Sequence, residues 1–203
     1  MNKIKMAART ALLAILTAGA VPAQAQPAVD AFITAAIVED LRAALHSPVS
    51  LLLIEAQNAR HKDLTQDRID ALDKQWRAER KTDQQPLIAQ LYGNPLSAQL
   101  TRLQADSAGL YTEIFVMDAH GLNVGQSAVT SDYWQGDEAK WQKTFLVGPD
   151  AVFIDDAERH DATGTWRVQV NLAIADPDGR AAIGAATVEI NLTELARRAG
   201  VAL

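Results

Sequence analysis

The chain has 203 residues, a formal charge of −6 at pH 7 and no cysteine. An acidic protein is a poor match for nucleic acid or an anionic membrane surface, which call for basic patches. Without cysteine there is no disulfide, no thiolate metal site and no lipid-modified cysteine, so stability must come from an apolar core, for which the length suffices in one domain.

The N-terminus reads as an address. Lys3, Lys5 and Arg9 form a basic lead, residues 11–20 are an apolar run, and Ala23-Gln24-Ala25 is the small-x-small pattern of a signal-peptidase site. The run is too short to span a bilayer comfortably, which favours a cleaved signal peptide over residues 1–25 against an uncleaved anchor. Cleavage removes three basic groups and takes the formal charge from −6 to −9. No later segment approaches about 18 uninterrupted apolar residues. The expected setting is the periplasm of a two-membrane bacterium, with one domain over residues 28–200.

Residues 28–109 read as helical. Ile33, Ile37, Leu41 and Leu45 recur every four residues and line one helix face. His46-Ser47-Pro48 offers a cap and a first-turn proline, so the helix kinks or restarts there. Thr65 is placed to cap the next helix, with Ile69, Leu72 and Trp76 on one face. Residues 81–85 form a polar connector, and Asn94-Pro95 marks another start, followed by Leu96, Leu100 and Leu103.

At residue 110 the period changes to two. Ile114 and Val116 face one way; Tyr111, Glu113, Phe115 and Met117 face the other. Asp118-Ala119-His120-Gly121 is turn chemistry, with a return strand over 122–127. A polar, aromatic loop over residues 131–141 carries Tyr133, Trp134 and Trp141, and a short helix is expected over 138–145. Gly148-Pro149-Asp150 breaks the chain before a short strand over 151–155. Trp166, Val168, Val170, Leu172 and Ile174 then alternate. Asp176-Pro177-Asp178-Gly179 makes a turn, and residues 183–192 return, with Gly184, Ala185 and Ala186 small enough for a close approach. A short helix over 193–199 follows. Helices first and strands second make the chain α+β.

These pieces carry a family likeness. Glu113-Ile-Phe-Val-Met-Asp118-Ala-His-Gly121 supplies a strand and turn. Ser131-Asp-Tyr-Trp-Gln-Gly-Asp137-Glu-Ala-Lys-Trp141 follows, then a strand ending in Asp155, then the hairpin through Ile174-Ala-Asp-Pro-Asp-Gly179 and Ile183 to Ile190. In order and spacing the chain resembles the extracytoplasmic Cache, or PDC, sensor domains, which are PAS-like. The resemblance implies N-terminal helices packed on a central five-stranded antiparallel sheet, with a ligand pocket between the sheet and the loop before its third strand. It implies small ligands such as amines, amino acids or carboxylates, and a signal passed to a membrane-bound histidine kinase or chemoreceptor. By position it implies that Tyr133, Trp134 and Trp141 line the pocket, and that Asp155 stands where members binding amino groups often place a carboxylate. In the family the first helix often mediates a parallel dimer, which leaves a homodimer open here. The amino-acid-binding members put an arginine two residues before the tryptophan and a tyrosine after it. Here Ala139 and Gln142 stand there, and Lys140 replaces the charge but not the bidentate fork.

Independently of the family, Tyr and Trp offer flat apolar faces with one polar handle each, and Asp137, Glu138 and Asp155 could satisfy a cation. The candidate ligand residues are therefore Tyr133, Trp134, Asp137, Lys140, Trp141 and Asp155. No cofactor is expected: the chain has no phosphate loop, dinucleotide fingerprint, Gly-x-Ser-x-Gly elbow or helical zinc-histidine pair. The expected function is that of an exported, free-standing, non-enzymatic ligand-binding protein. Two alternatives remain. One is a metal-dependent hydrolase built on the acidic cluster over residues 155–161, although that cluster reads more simply as a solvated turn. The other is a ligand-free interaction module.

Overall fold

The computed structural model describes residues 27–201. The expected signal peptide over residues 1–25 lies outside the described residues. After a 3-10 turn at Val29–Ala31, the helices are α1 (Ala35–Leu45), α2 (Pro48–His61), α3 (Gln66–Glu79), α4 (Pro86–Tyr92) and α5 (Pro95–Asp106). The starts follow local chemistry. The Thr34 hydroxyl accepts the Ile37 amide, Ser47 accepts the Ser50 amide at 3.1 Å, and Asn94 Oδ1 accepts the Ser97 amide at 2.8 Å. Pro48, Pro86 and Pro95 each occupy the first turn, where a missing N–H costs nothing. Thr65 holds the N-cap position of α3 but makes no side-chain cap bond.

The strands follow: β1 (Tyr111–Met117), β2 (Asn123–Gln126), β3 (Val152–Ile154), β4 (Glu158–His160), β5 (Thr165–Ala175) and β6 (Ala182–Asn191). The one-turn helix α6 (Ala139–Gln142) precedes β3, and α7 (Leu192–Ala199) follows β6. The sheet runs β2-β1-β6-β5-β3, every pair antiparallel, with β4 joined to β5 off that path. The expected five strands form the continuous path. β4 is an addition: part of the acidic stretch read as a solvated turn pairs with Thr165, Trp166 and Arg167 instead.

The helices pack on one face. Ile114, Val116, Val124, Val168, Val170, Leu172, Ile174, Ala186, Val188 and Ile190 meet Leu41, Leu45, Ile54, Leu96 and Leu100 in one core. At roughly 1.5–3 kcal/mol per fully buried aliphatic side chain, this layer is the main source of stability. The buried stripe of α1 is Val38, Leu41 and Leu45, with Ile37 only half-buried.

One facing expectation is corrected. Tyr111 packs with the helix-side core, not with Phe115 and Met117. The β1–β6 register slips between Tyr111 and Glu113, so Thr112 is an extra residue opposite β6 and the alternation reverses across it.

Candidate functional site

The second face of the sheet differs in kind. Phe115, Met117 and Ala185 form a small apolar patch covered by Trp141 and Phe145 from the loop. Beside that patch the residues pointing to the loop side are polar. Asn171 and Thr187 are fully buried and bond to each other at 2.7 Å, and Asn171 Nδ2 donates to the Phe153 carbonyl. Arg167 Nη1 donates to Glu189 Oε1 at 2.7 Å across β5 and β6. The Thr112 hydroxyl also donates to Glu189 Oε1. Glu113 stands opposite Glu189 in the β1–β6 register. Burial, then the Glu189 charge, push the Glu113 carboxyl up to about 7, against the opposing pull of Lys140, Arg167 and Arg80.

The loop reaches this face in two stages. Residues 132–135 first run along the outer edge of β2. The Asn123 amide donates to the Tyr133 carbonyl, Leu122 and Trp134 form an antiparallel bridge, and the Gln135 amide donates to the Gly121 carbonyl. Gly121 has φ +79°, and a Cβ there would sit 2.6 Å from the Gly136 Cα, so the turn and loop can close only with glycine. From Gly136 the chain crosses the sheet. α6 then places Trp141 over the apolar patch, stacked on Phe145 at 4.9 Å, its Nε1 donating to the Asp118 carbonyl at 3.1 Å.

Between this crossing segment, the β5–β6 surface and the β3–β4 connection lies a cavity of about 250 Å³. It is lined by Glu138 and Lys140 above, Arg167, Gln169 and Glu189 below, and Asp155, Asp156 and Glu158 at the side. Lys140 Nζ lies 3.0 Å from Glu138 and 5.4 Å from the centroid of the Phe115 ring. A cavity this small suits a metabolite rather than a polymer.

Of the residues singled out in the sequence, Lys140 and Asp155 line this cavity and Trp141 covers the patch beside it. Asp137 is exposed and outside the lining. Tyr133 and Trp134 lie elsewhere. Their backbone extends the sheet edge, which turns Tyr133 into a second apolar cluster with Ile69, Trp76, Ile88, Leu91 and Leu122. Tyr133 is 5% exposed, and burial pushes its phenol pKa up. It borders a separate recess of about 160 Å³ between α2 and α4. The Trp134 Nε1 is engaged with the His120 carbonyl at 2.8 Å. Arg167 and Gln169 are the polar partners in the alternation of Trp166, Val168 and Val170, and Glu189 pairs with Gln169 from β6, so the lining carries no local signal beyond strand periodicity.

Other features offer less chemistry. A cavity of about 340 Å³ between α1 and β5 is bordered by Leu45, Leu172 and Ile174, and the Arg42 guanidinium there is spent on the Pro149, Asp150 and Ala173 carbonyls. Among the described residues, those over 155–161 included, no group of three or more His, Cys, Asp or Glu side chains is placed to hold a metal ion. No described helix is long and apolar enough to cross a membrane.

No protein-family model matches the chain, and no curated protein matches it. Among solved structures it is similar to the extracellular domain of a candidate histidine kinase, at 13% identity over 79% of this chain and 58% of that one, with a TM-score of 0.41. It is similar to the ligand-binding domain of the Pseudomonas aeruginosa amino acid chemoreceptor PctC, solved with GABA, at 15% identity over 78% of this chain and 64% of that one, TM-score 0.40. The Escherichia coli DcuS sensor domain aligns at 18% identity over 64% of this chain and 96% of that one, TM-score 0.37. The chain thus spans less than two thirds of the first two neighbours. By name the three are an extracellular domain, a ligand-binding domain and a sensor domain. Fold likeness alone does not assign function, which has to come from the site.

Proposed function

We propose that the protein is an extracytoplasmic ligand-binding sensor module. It captures a small metabolite in the cavity between the crossing segment and the sheet. It then presents the bound state to a membrane-bound signalling partner such as a histidine kinase or chemoreceptor. The observation that carries this reading is the charged and polar sheet face covered by its own loop. Half-burying Arg167, Glu189, Glu113 and Gln169 beside a cavity costs free energy that apolar residues would not cost. A polar second face is ordinary for an antiparallel sheet in water, but here the protein's own segment covers it and leaves a cavity beneath. Lys140, Asp155, Arg167, Gln169 and Glu189 are the proposed contacts, with Trp141 holding the cover in place.

The test is a thermal-shift screen of small metabolites followed by calorimetry on the hits. Asp155→Asn and Lys140→Ala variants are expected to lose affinity for a hit while keeping the parent circular-dichroism spectrum. If both variants bind every hit as tightly as the parent, the site lies elsewhere.

A further inference from the structure

Resting on that reading of the cavity, we propose that its ligand is an organic cation without a carboxylate, namely a primary amine or diamine. The charges of the lining decide this. Both cations in the wall are already paired: Lys140 with Glu138 at 3.0 Å, and Arg167 with Glu189 at 2.7 Å. Arg167 Nε leans on the Thr165 hydroxyl, and Lys140 Nζ also reaches the Gln135 amide oxygen, so each is held by more than one partner. Three further carboxylates, Asp155, Asp156 and Glu158, line the same cavity, and none of them carries an ion pair among the described residues.

The wall therefore has carboxylates to spare and no spare cation. A ligand ammonium finds Asp155, Asp156 and Glu158 on one side and the Gln169 amide below. A ligand carboxylate would meet them as like charges, and would have to share Arg167 with Glu189 or Lys140 with Glu138. Ala139 stands beside Lys140 in the cover and offers no guanidinium to clamp a carboxylate.

The experiment compares three probes of equal chain length by calorimetry on the purified protein: 1,4-diaminobutane, 4-aminobutanoate and butanedioate. The expected result is binding of the diamine, affinity for the amino acid lower by about tenfold or more, and no heat from the diacid. Diamine binding is expected to weaken as salt is raised from about 0.05 to 0.5 M. A triple variant, Asp155→Asn, Asp156→Asn and Glu158→Gln, changes only exposed side chains and is expected to lose about tenfold or more in diamine affinity with its unfolding midpoint unchanged. Equal or tighter binding of either carboxylate-bearing probe overturns the cation assignment and leaves the cavity as the ligand site. Full diamine affinity in the triple variant overturns it as well. No heat from any probe up to about 10 mM overturns it too, while metabolite-screen hits lost in Lys140→Ala would still uphold the cavity.

Discussion

Trp76 and Tyr133 stack with their ring centroids 5.3 Å apart and their planes 21° from parallel. The pair joins α3 to the loop that leaves β2, and the Trp76 Nε1 is satisfied by the Thr130 carbonyl at 3.0 Å. The rings thus anchor the near end of the crossing segment, and the cavity forms at its far end. Trp76 is fully buried, so Trp76→Ala is expected to cost about 3–5 kcal/mol in a urea titration. Tyr133→Phe keeps the stack and is expected to leave both stability and ligand affinity nearly unchanged, read by the same titration and by calorimetry.

Asp73 holds the same segment by its backbone. Its Oδ1 accepts the amides of Tyr133 and Trp134 at 2.9 and 3.2 Å, while Arg77 Nε reaches Oδ2 at 2.7 Å. Asp73→Leu leaves two amides without an acceptor. The expected loss is about 2–4 kcal/mol, with hydrogen exchange at residues 133 and 134 accelerated more than in β5.

Glu113 makes stability depend on pH. Its folded carboxyl pKa is raised from 4.5 to about 7, mainly by burial. The folded protein therefore binds more protons than the unfolded chain between those values. This contribution is fully present below about 4.5 and is lost as the pH rises through about 7. Glu113→Gln is expected to be more stable than the parent at pH 8, by about 1–3 kcal/mol, and to show a flatter profile between pH 5 and 8 in urea titrations.

The same group couples to the ligand. A cation in the neighbouring cavity favours the ionised form of Glu113, so binding releases part of a proton near neutrality. Diamine affinity is expected to rise as the pH goes from about 6 to 8, and calorimetry in buffers of different ionisation enthalpy would detect the released proton. Glu113→Gln is expected to abolish that buffer dependence.

Gly184 sets how closely β6 approaches its neighbours. A Cβ there would lie 2.3 Å from the Met117 carbonyl oxygen and 3.2 Å from the Ile54 side chain. The small-residue run in β6 thus admits the protein's own β1 and α2. Gly184→Ala is expected to destabilise by about 1–3 kcal/mol in a urea titration, because the near atom is backbone and cannot rotate away.

Much of the fold was legible in local chemistry. The proline starts at 48 and 95, the Ser47 and Asn94 caps, the alternation from Trp166 to Ile174 and the break at residue 148 are signals written within a few residues. They lead to the observed elements because capping and periodicity act at short range. Trp141 and Asp155 were marked by family resemblance rather than by local chemistry; the structure puts Lys140 and Asp155 in the cavity wall and Trp141 beside it. What the local pattern could not carry was anything that depends on register between distant strands. The slip at Thr112 turned Tyr111 to the helices, and the pairing of residues 132–135 with the edge of β2 carried Tyr133 and Trp134 away from the cavity. The meeting of Glu113, Arg167 and Glu189 likewise exists only once β1, β5 and β6 lie side by side. A one-residue shift in any of those pairings would send the side chains to opposite faces. Composition and periodicity were therefore enough to say that this is an α+β chain with an acidic balance. The placement of its charges around one small cavity was decided by strand registry, which is a property of the assembled sheet.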